Sequence, residues 1–459
     1  MDLAFLAAVE QARLVRERQV SPVELAELYL ERIERLDPDL NAFVTVTAEL
    51  ALAEARAPRA GPFAGVPISI KDLHETAGVR TTFSSRAFAD FVPASDDAAV
   101  RRLREAGFVL LGKTNTPEFG TIAVTESELN GACRNPWDTA RTPGGSSGGA
   151  AAAVAAGLCP VAQGSDGGGS IRNPASCCGL VGLKPSRGRV SPAPYSPGAL
   201  GLGTSGPIAR TVADAAAVLD VLAGPEPGDP YWAPPPARPF AEEAARPPGR
   251  LRVAVTTEPP VDVPVDDACV EAARACGRLL EELGHAVVEA TPPWSSEHAV
   301  PHFLRVWAAG VGVWSVRDPD QVEPINRALL EDARATTSVE LAIATVELQV
   351  LARRVISFWD DVDVVVTPTL ALPPVPIGWA FEGEDDPRAQ FARFLLFTPF
   401  TPLVNVTGQP AASVPFGEAD GLPVGVQLIG RPFDEATLLR VAAQLEQAHP
   451  WAGRRPPVS

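Results

Sequence analysis

Behind Ser21-Pro22-Val23-Glu24, apolar residues recur at helical spacing at Leu25, Leu28, Tyr29, Ile33 and Leu36. A capping-box pattern with proline at the first helical position precedes them, so the spacing predicts a helix that stops at Asp37-Pro38. Asn41 to Val46 reads as a strand and Ala57 to Phe63 as a loop. The short apolar run Ile68-Ser69-Ile70-Lys71 then predicts a buried strand that delivers a lysine at its end. Ser95-Asp96 caps a helix ending near Gly107, and Phe108 to Leu111 is a strand. The alanine-rich stretch after Ser147 contains Gly157 and Pro160, which fits a buried helix turning into a strand.

Further along, Thr211-Val212-Ala213-Asp214 opens a helix towards Leu222. Leu251 to Val255 and Ala286 to Glu289 read as strands around a helix from Asp266 or Asp267 to Leu283, closed by Gly284, a βαβ unit. Val300 to Asp361 is helical, with Phe303, Trp307 and Trp314 on one face. Such a stripe usually packs into a core, but in an enzyme a lobe of this kind can also roof a pocket. Val362 to Val366 is a strand, and Asp434 caps a last helix carrying Leu438, Leu439, Val441 and Leu445.

Alternating strands and helices over 459 residues, 46% of them hydrophobic, describe a large α/β chain with a sizeable core. No run of 18 apolar residues suggests a membrane span. The net charge of −17 argues against a nucleic-acid partner, because phosphate backbones are bound by basic faces. Met1-Asp2 opens without the basic segment of an export signal, so a cytoplasmic location is expected. Nine prolines between Gly224 and Arg250 predict an extended surface excursion over 224–250. Cys133, Cys159, Cys177, Cys178, Cys269 and Cys276 are too sparse for a disulfide scaffold and lack zinc-ligand spacing, so free thiols and no metal are expected.

The chemistry concentrates between Pro143 and Pro185. Gly144-Gly145-Ser146-Ser147-Gly148-Gly149 and Asp166-Gly167-Gly168-Gly169-Ser170-Ile171-Arg172 place two serines 24 residues apart in glycine-rich surroundings. Successive glycines running into Ser170 can aim backbone N–H groups of Gly167, Gly168 and Gly169 into one concavity, an oxyanion hole beside a nucleophile. Lys71 is the candidate base. A lysine serves as one at neutral pH only if burial disfavours its charge, which an apolar approach strand would provide. Neutral Lys71 could take a proton from Ser146, and Ser146 one from Ser170, without a histidine.

Two other motifs match by count and fail by context. Gly107 to Thr114 has Walker A spacing, but Phe108-Val109-Leu110-Leu111 would put a strand where a flexible phosphate loop is needed. Gly144-Gly145-Ser146-Ser147-Gly148 fits the G-x-S-x-G nucleophile elbow of an α/β-hydrolase-like esterase, with His285, His298, His302 and His449 downstream. An elbow follows a hydrophobic strand, and Asn135 to Pro143 reads as a loop. Cys177 and Cys178 lack the partners of a cysteine nucleophile.

The serine and lysine pattern resembles the amidase signature family, whose Ser-cis-Ser-Lys triad matches Ser170, Ser146 and Lys71. Further blocks are similar: Ala64 to Asp72, Leu111 to Glu118, Cys178 to Pro185, Asn405 to Pro410 and Gly421 to Gly430. The resemblance implies one large α/β unit over 1–459, a central mixed β-sheet covered by helices on both faces. Its core would span 60–225 and 362–448, with a variable helical lobe at about 290–361. It also implies a serine hydrolase that cleaves C–N bonds of small apolar or aryl amides and carbamates through an acyl-enzyme, with no cofactor, and it leaves a homodimer open.

Two residues depart from the family's usual types, Gly167 for threonine and Cys177 for a bulky aromatic. Both remove volume near Ser170. Cys177 is a candidate substrate-binding residue, and separately so is Arg172, which either orients a substrate carboxylate or forms a structural ion pair. Several blocks look most like the branch with 6-aminohexanoate cyclic-dimer hydrolase and carbamate-cleaving amidases. A glutamine amidotransferase subunit, which would co-purify with its partner, is the alternative branch.

Overall fold

The computed structural model describes residues 2–196, 200–295, 297–314 and 316–459. Among the described residues eleven strands join in one sheet: β1 Phe43–Val46, β2 Pro67–Lys71, β3 Val109–Thr114, β4 Val161–Asp166, β5 Val181–Lys184, β6 Thr204–Ala209, β7 Arg252–Val255, β8 Ala286–Glu289, β9 Val364–Pro368, β10 Ala411–Ala419 and β11 Leu422–Gly430. Their order across the sheet is β1-β3-β2-β4-β6-β5-β10-β11-β9-β7-β8. Strands β3, β2 and β4 run parallel, as do β9, β7 and β8, and the segment between them is antiparallel. The sheet is mixed.

Helices cover both faces, and the strands show why. Successive side chains of a strand point to opposite sides. In β9, Val364 and Val366 enter a core that also holds Leu219, Cys276 and Leu438 from helices Val212–Leu222, Asp267–Glu282 and Glu435–Ala448. Val365 enters a second core with Leu348 and Val355 of helix Ser338–Ile356. β2 behaves likewise at the site. Ile68 and Ile70 pack into the first core, so Ser69 and Lys71 face the other side, where helices Gly148–Ala155 and Arg172–Cys178 lie. No helix among the described residues is long and apolar enough to cross a membrane.

Two expectations need correction, and one helix is added to them. The first long helix does not stop at Asp37-Pro38 but runs Pro22–Leu40, with Pro38 inside it. Proline removes only its own N–H, and the last turn still closes because Asn41 N–H donates to Asp37 O at 2.7 Å, Asn41 then taking the left-handed conformation (φ 52°). Ala48–Arg56 is a further helix, with Ala51 and Ala55 buried. The proline-rich excursion contains helix Phe240–Ala244, pinned by buried Phe240 and by Glu243, which is bonded to Arg440.

Candidate active site

Lys71 ends β2 with no exposed surface, and its Nζ donates to Ser146 Oγ at 2.7 Å. Burial drives its pKa down to about 7, although the negative charge of Asp166 pulls the other way. At neutral pH a large fraction of this lysine is therefore uncharged. Ser146 follows a cis Gly145–Ser146 peptide bond and is itself buried. A Cβ at Gly145 would lie 2.5–2.7 Å from the backbone of Val124, so only glycine lets the two segments approach this closely.

Ser147 N–H donates to Ser170 O at 3.1 Å, which ties the two serine segments together. Ser170 retains 7% exposure, and its hydroxyl has no hydrogen-bond partner among the described residues. It opens into a cavity of about 560 Å³. The structure thus brings Lys71 and Ser146 into direct contact and sets Ser170 beside them at the cavity wall.

The glycine strip before Ser170 is held by Asp166. Its carboxylate accepts from Gly169 N at 2.8 Å and Ile171 N at 3.2 Å. Gly169 has φ +125°, and a Cβ there would stand 2.3 Å from Thr401 Oγ1. Gly169 is consequently not an oxyanion donor, since Asp166 takes its N–H. Gly167 and Gly168 keep N–H groups with no protein acceptor among the described residues, and so does Ser170. Thr401 Oγ1 donates to Gly168 O at 2.8 Å and fixes the strip from the other side.

Arg172 does not reach the cavity. It is completely buried, with Nε and Nη2 on the Asp166 carboxylate at 3.0 and 2.9 Å, Nη1 on Gln427 Oε1 at 2.6 Å and Nη2 on Asn405 Oδ1 at 2.6 Å. Burial would raise the Asp166 pKa, but the Arg172 guanidinium holds it well below the usual carboxylate range. Arg172 is the structural ion pair, and the substrate-carboxylate role is withdrawn. Cys177 is also fully buried, 3.1 Å from where a Gly144 Cβ would stand, and lines no part of the cavity. Burial pushes its thiol far up in pKa, so its substrate-binding assignment is withdrawn too.

The alternative motifs also fail structurally. Lys113, from the Walker-like stretch, is buried and spends its ammonium on His74 O, Thr81 Oγ1 and Asp72. Among the described residues no histidine bonds Ser146, whose partner is Lys71. His285 instead joins Leu251 N and Gln444, and His449 stacks on Phe416.

Most of the cavity wall comes from outside the motif region. Phe303, Leu304 and Trp307 contribute from helix Val300–Gly312, Ile325 and Leu329 from helix Pro324–Ala335, and Phe391 and Phe394 from helix Pro387–Phe397. The lining is predominantly apolar. The Trp stripe therefore divides: Phe303 and Trp307 face the cavity, whereas Trp314 stacks on Phe119 at 4.9 Å. Asp166, Asn405 and Gln427 lie within the motif blocks, but their shared hold on Arg172 arises only in the fold.

A family model described as Amidase matches residues 24–439. A putative amidase of Mycobacterium tuberculosis is 46% identical, covering 100% of this chain and 99% of its own length. The 6-aminohexanoate-cyclic-dimer hydrolase of Paenarthrobacter ureafaciens is 42% identical over 98% of this chain and 96% of its own. The chain belongs to the amidase signature family. A solved structure of 6-aminohexanoate cyclic dimer hydrolase matches this amidase with a TM-score of 0.95 at 39% identity, over 99% of each chain. The fold is the family's α/β fold, and the activity is hydrolysis of amide C–N bonds.

Proposed function

We propose that this amidase hydrolyses small, largely apolar amides, and aryl carbamates with them, through an acyl-enzyme on Ser170. The carrying observation is the 2.7 Å contact between Ser146 Oγ and a Lys71 whose pKa lies near 7, next to Ser170 at the wall of an apolar cavity.

Ser170 Oγ attacks the carbonyl carbon. Its proton passes to Ser146 Oγ as the Ser146 proton passes to Lys71 Nζ, a step that requires the Ser170 hydroxyl to turn onto Ser146 when substrate binds. The N–H groups of Gly167, Gly168 and Ser170 take the developing oxyanion. Protonated Lys71 then returns a proton through Ser146 to the leaving amine, and the C–N bond breaks. Water attacks the ester by the same relay and frees Ser170. The apolar lining, together with the likeness to a hydrolase of a cyclic amide dimer, supports uncharged substrates.

The test is a panel of aryl anilides, a cyclic amide dimer, dipeptide-like amides and aryl carbamates, run with wild type and Ser170→Ala. The expected result is turnover of uncharged amides and carbamates without a partner protein, and a loss on the order of 10³-fold or more in Ser170→Ala. Near-normal turnover by Ser170→Ala overturns the mechanism. Labelling by a serine-directed sulfonyl fluoride on Ser146 instead of Ser170 does the same.

A further inference from the structure

We propose that Trp307 sets the acyl specificity of this site by closing the wall over the glycine strip, so that acyl groups branched next to the scissile carbonyl are excluded. The inference rests on the reading of Ser170 as nucleophile and goes beyond it to the shape of the substrate.

Trp307 Cη2 and Cζ3 lie 3.5 Å from the position a Cβ would take on Gly167, and 3.5 and 3.6 Å from that on Gly168. A methyl group at either glycine would just touch the ring. Any further side-chain atom directed that way would collide with it. The bare strip and the indole are therefore complementary surfaces, the second filling space that the first leaves open.

The indole is also held in place. Phe303, one turn earlier on the same helix, stacks on it with ring centroids 5.5 Å apart and planes 24° apart. That helix, Val300–Gly312, packs against helices Pro324–Ala335 and Ser338–Ile356. Trp307 Nε1 is buried with no hydrogen-bond partner among the described residues. Packing, not a polar anchor, keeps the ring here, at the cost of an unsatisfied donor that phenylalanine would avoid.

Reaction geometry converts this contact into selectivity. The carbonyl carbon must come within bonding reach of Ser170 Oγ while its oxygen meets the N–H groups of Gly167, Gly168 and Ser170. The next atom of the acyl chain then runs beside the strip, under the indole. A methylene fits such a passage, whereas a quaternary carbon demands the volume that Trp307 fills. The acyl group remains through both half-reactions, so the wall acts on acylation and deacylation alike.

The experiment compares kcat/KM for the para-nitroanilides of hexanoate and α,α-dimethylhexanoate in wild type, Trp307→Ala and Trp307→Phe. Hexanoyl amides of a linear and a branched amine run in parallel. Wild type should discriminate strongly against the branched acyl group. Trp307→Ala should raise the branched-to-linear ratio about tenfold or more, the scale on which apolar pockets read a methyl group or two. Trp307→Phe should give an intermediate value and supplies the reading if the alanine variant fails to fold. Gly167→Val as a single variant should impair even the linear substrate, and adding Trp307→Ala should restore it.

An acyl ratio unchanged within twofold in folded, active Trp307 variants overturns the proposal. Relief confined to branched amines overturns the acyl-side assignment. Activity surviving in Ser170→Ala would instead strike at the mechanism, a separate failure from that of the Trp307 ratio.

Discussion

Lys71 Nζ stands 2.7 Å from Ser146 Oγ with no surface exposed to solvent, so the one group able to move the proton is also one whose charge the fold disfavours. Its pKa near 7, against an ordinary 10.5, means that below pH 7 the lysine is increasingly protonated and cannot accept. The value of kcat/KM should rise with pH through about 7 and level off above it. A profile flat from pH 5 to pH 9 would remove Lys71 as base.

The same shift sets a stability effect of definite sign. Between about pH 7 and 10.5 the unfolded chain binds the Lys71 proton and the folded chain does not, so Lys71 costs stability below pH 10.5, fully below about 7, and the cost fades as pH rises. Each pKa unit corresponds to roughly 1.4 kcal/mol. Lys71→Met should abolish turnover yet raise Tm at pH 7, by more than at pH 10, even after losing the bond to Ser146. Calorimetry at the two pH values decides; a lower Tm at pH 7 contradicts the assignment of a buried, pKa-depressed lysine.

Arg172 and Asp166 form a pair with neither side chain exposed. Removing one charge strands the other, so Arg172→Met should destabilise the protein by about 3–5 kcal/mol in a denaturant titration. Because Asp166 also holds Gly169 and Ile171, turnover of uncharged amides should fall in the variant as well. A defect confined to carboxylate-bearing substrates would restore Arg172 to the cavity.

Glu118 and Glu323 meet where the helical lobe joins the core. Glu118 accepts from Glu323 N at 2.9 Å, Asn326 Nδ2 at 2.8 Å and Ser85 Oγ at 2.6 Å. Burial, reinforced by the Glu118 carboxylate, pushes the Glu323 pKa up to about 8. A folded pKa raised above the unfolded one means that Glu323 costs nothing below about pH 4.5 and costs increasing stability as pH climbs to about 8. Glu323→Gln should therefore raise Tm at pH 8 and leave it nearly unchanged at pH 5. Equal effects at both would show that the carboxylate is not shifted.

All six cysteines are free and buried, and burial raises their pKa values. The native enzyme should keep its activity in excess N-ethylmaleimide and lose it only after unfolding exposes the thiols, as mass spectrometry of the labelled chain would report. Rapid inactivation of the folded enzyme would point to a cysteine at the cavity.

Local pattern carried much of the architecture. The βαβ unit around helix Asp267–Glu282, the cap at Ser21 and the strand that ends in Lys71 are each written in contiguous residues. Pro38 misled because proline signals a lost donor, while the helix end is decided by whether later N–H groups still find acceptors, here Asn41 on Asp37. Helix Pro387–Phe397 carries no comparable local signal, yet its Phe391 and Phe394 form part of the cavity wall.

Sequence alone determined the inventory: two serines in glycine-rich turns, a lysine at the end of an apolar strand, and the backbone freedom to bring them close. These properties reside in residue types and short spacings. Tertiary structure decided which polar groups were already spoken for. Gly169 gives its N–H to Asp166, and Arg172 gives its guanidinium to Asp166, Gln427 and Asn405, partners up to 255 residues away in the chain. It also decided which apolar residues face substrate, because Trp307 acquires its position only where a distant helix lies against the glycine strip. Hydrogen-bond capacity and volume are each used once, and the competition for them is settled between segments that only folding brings together.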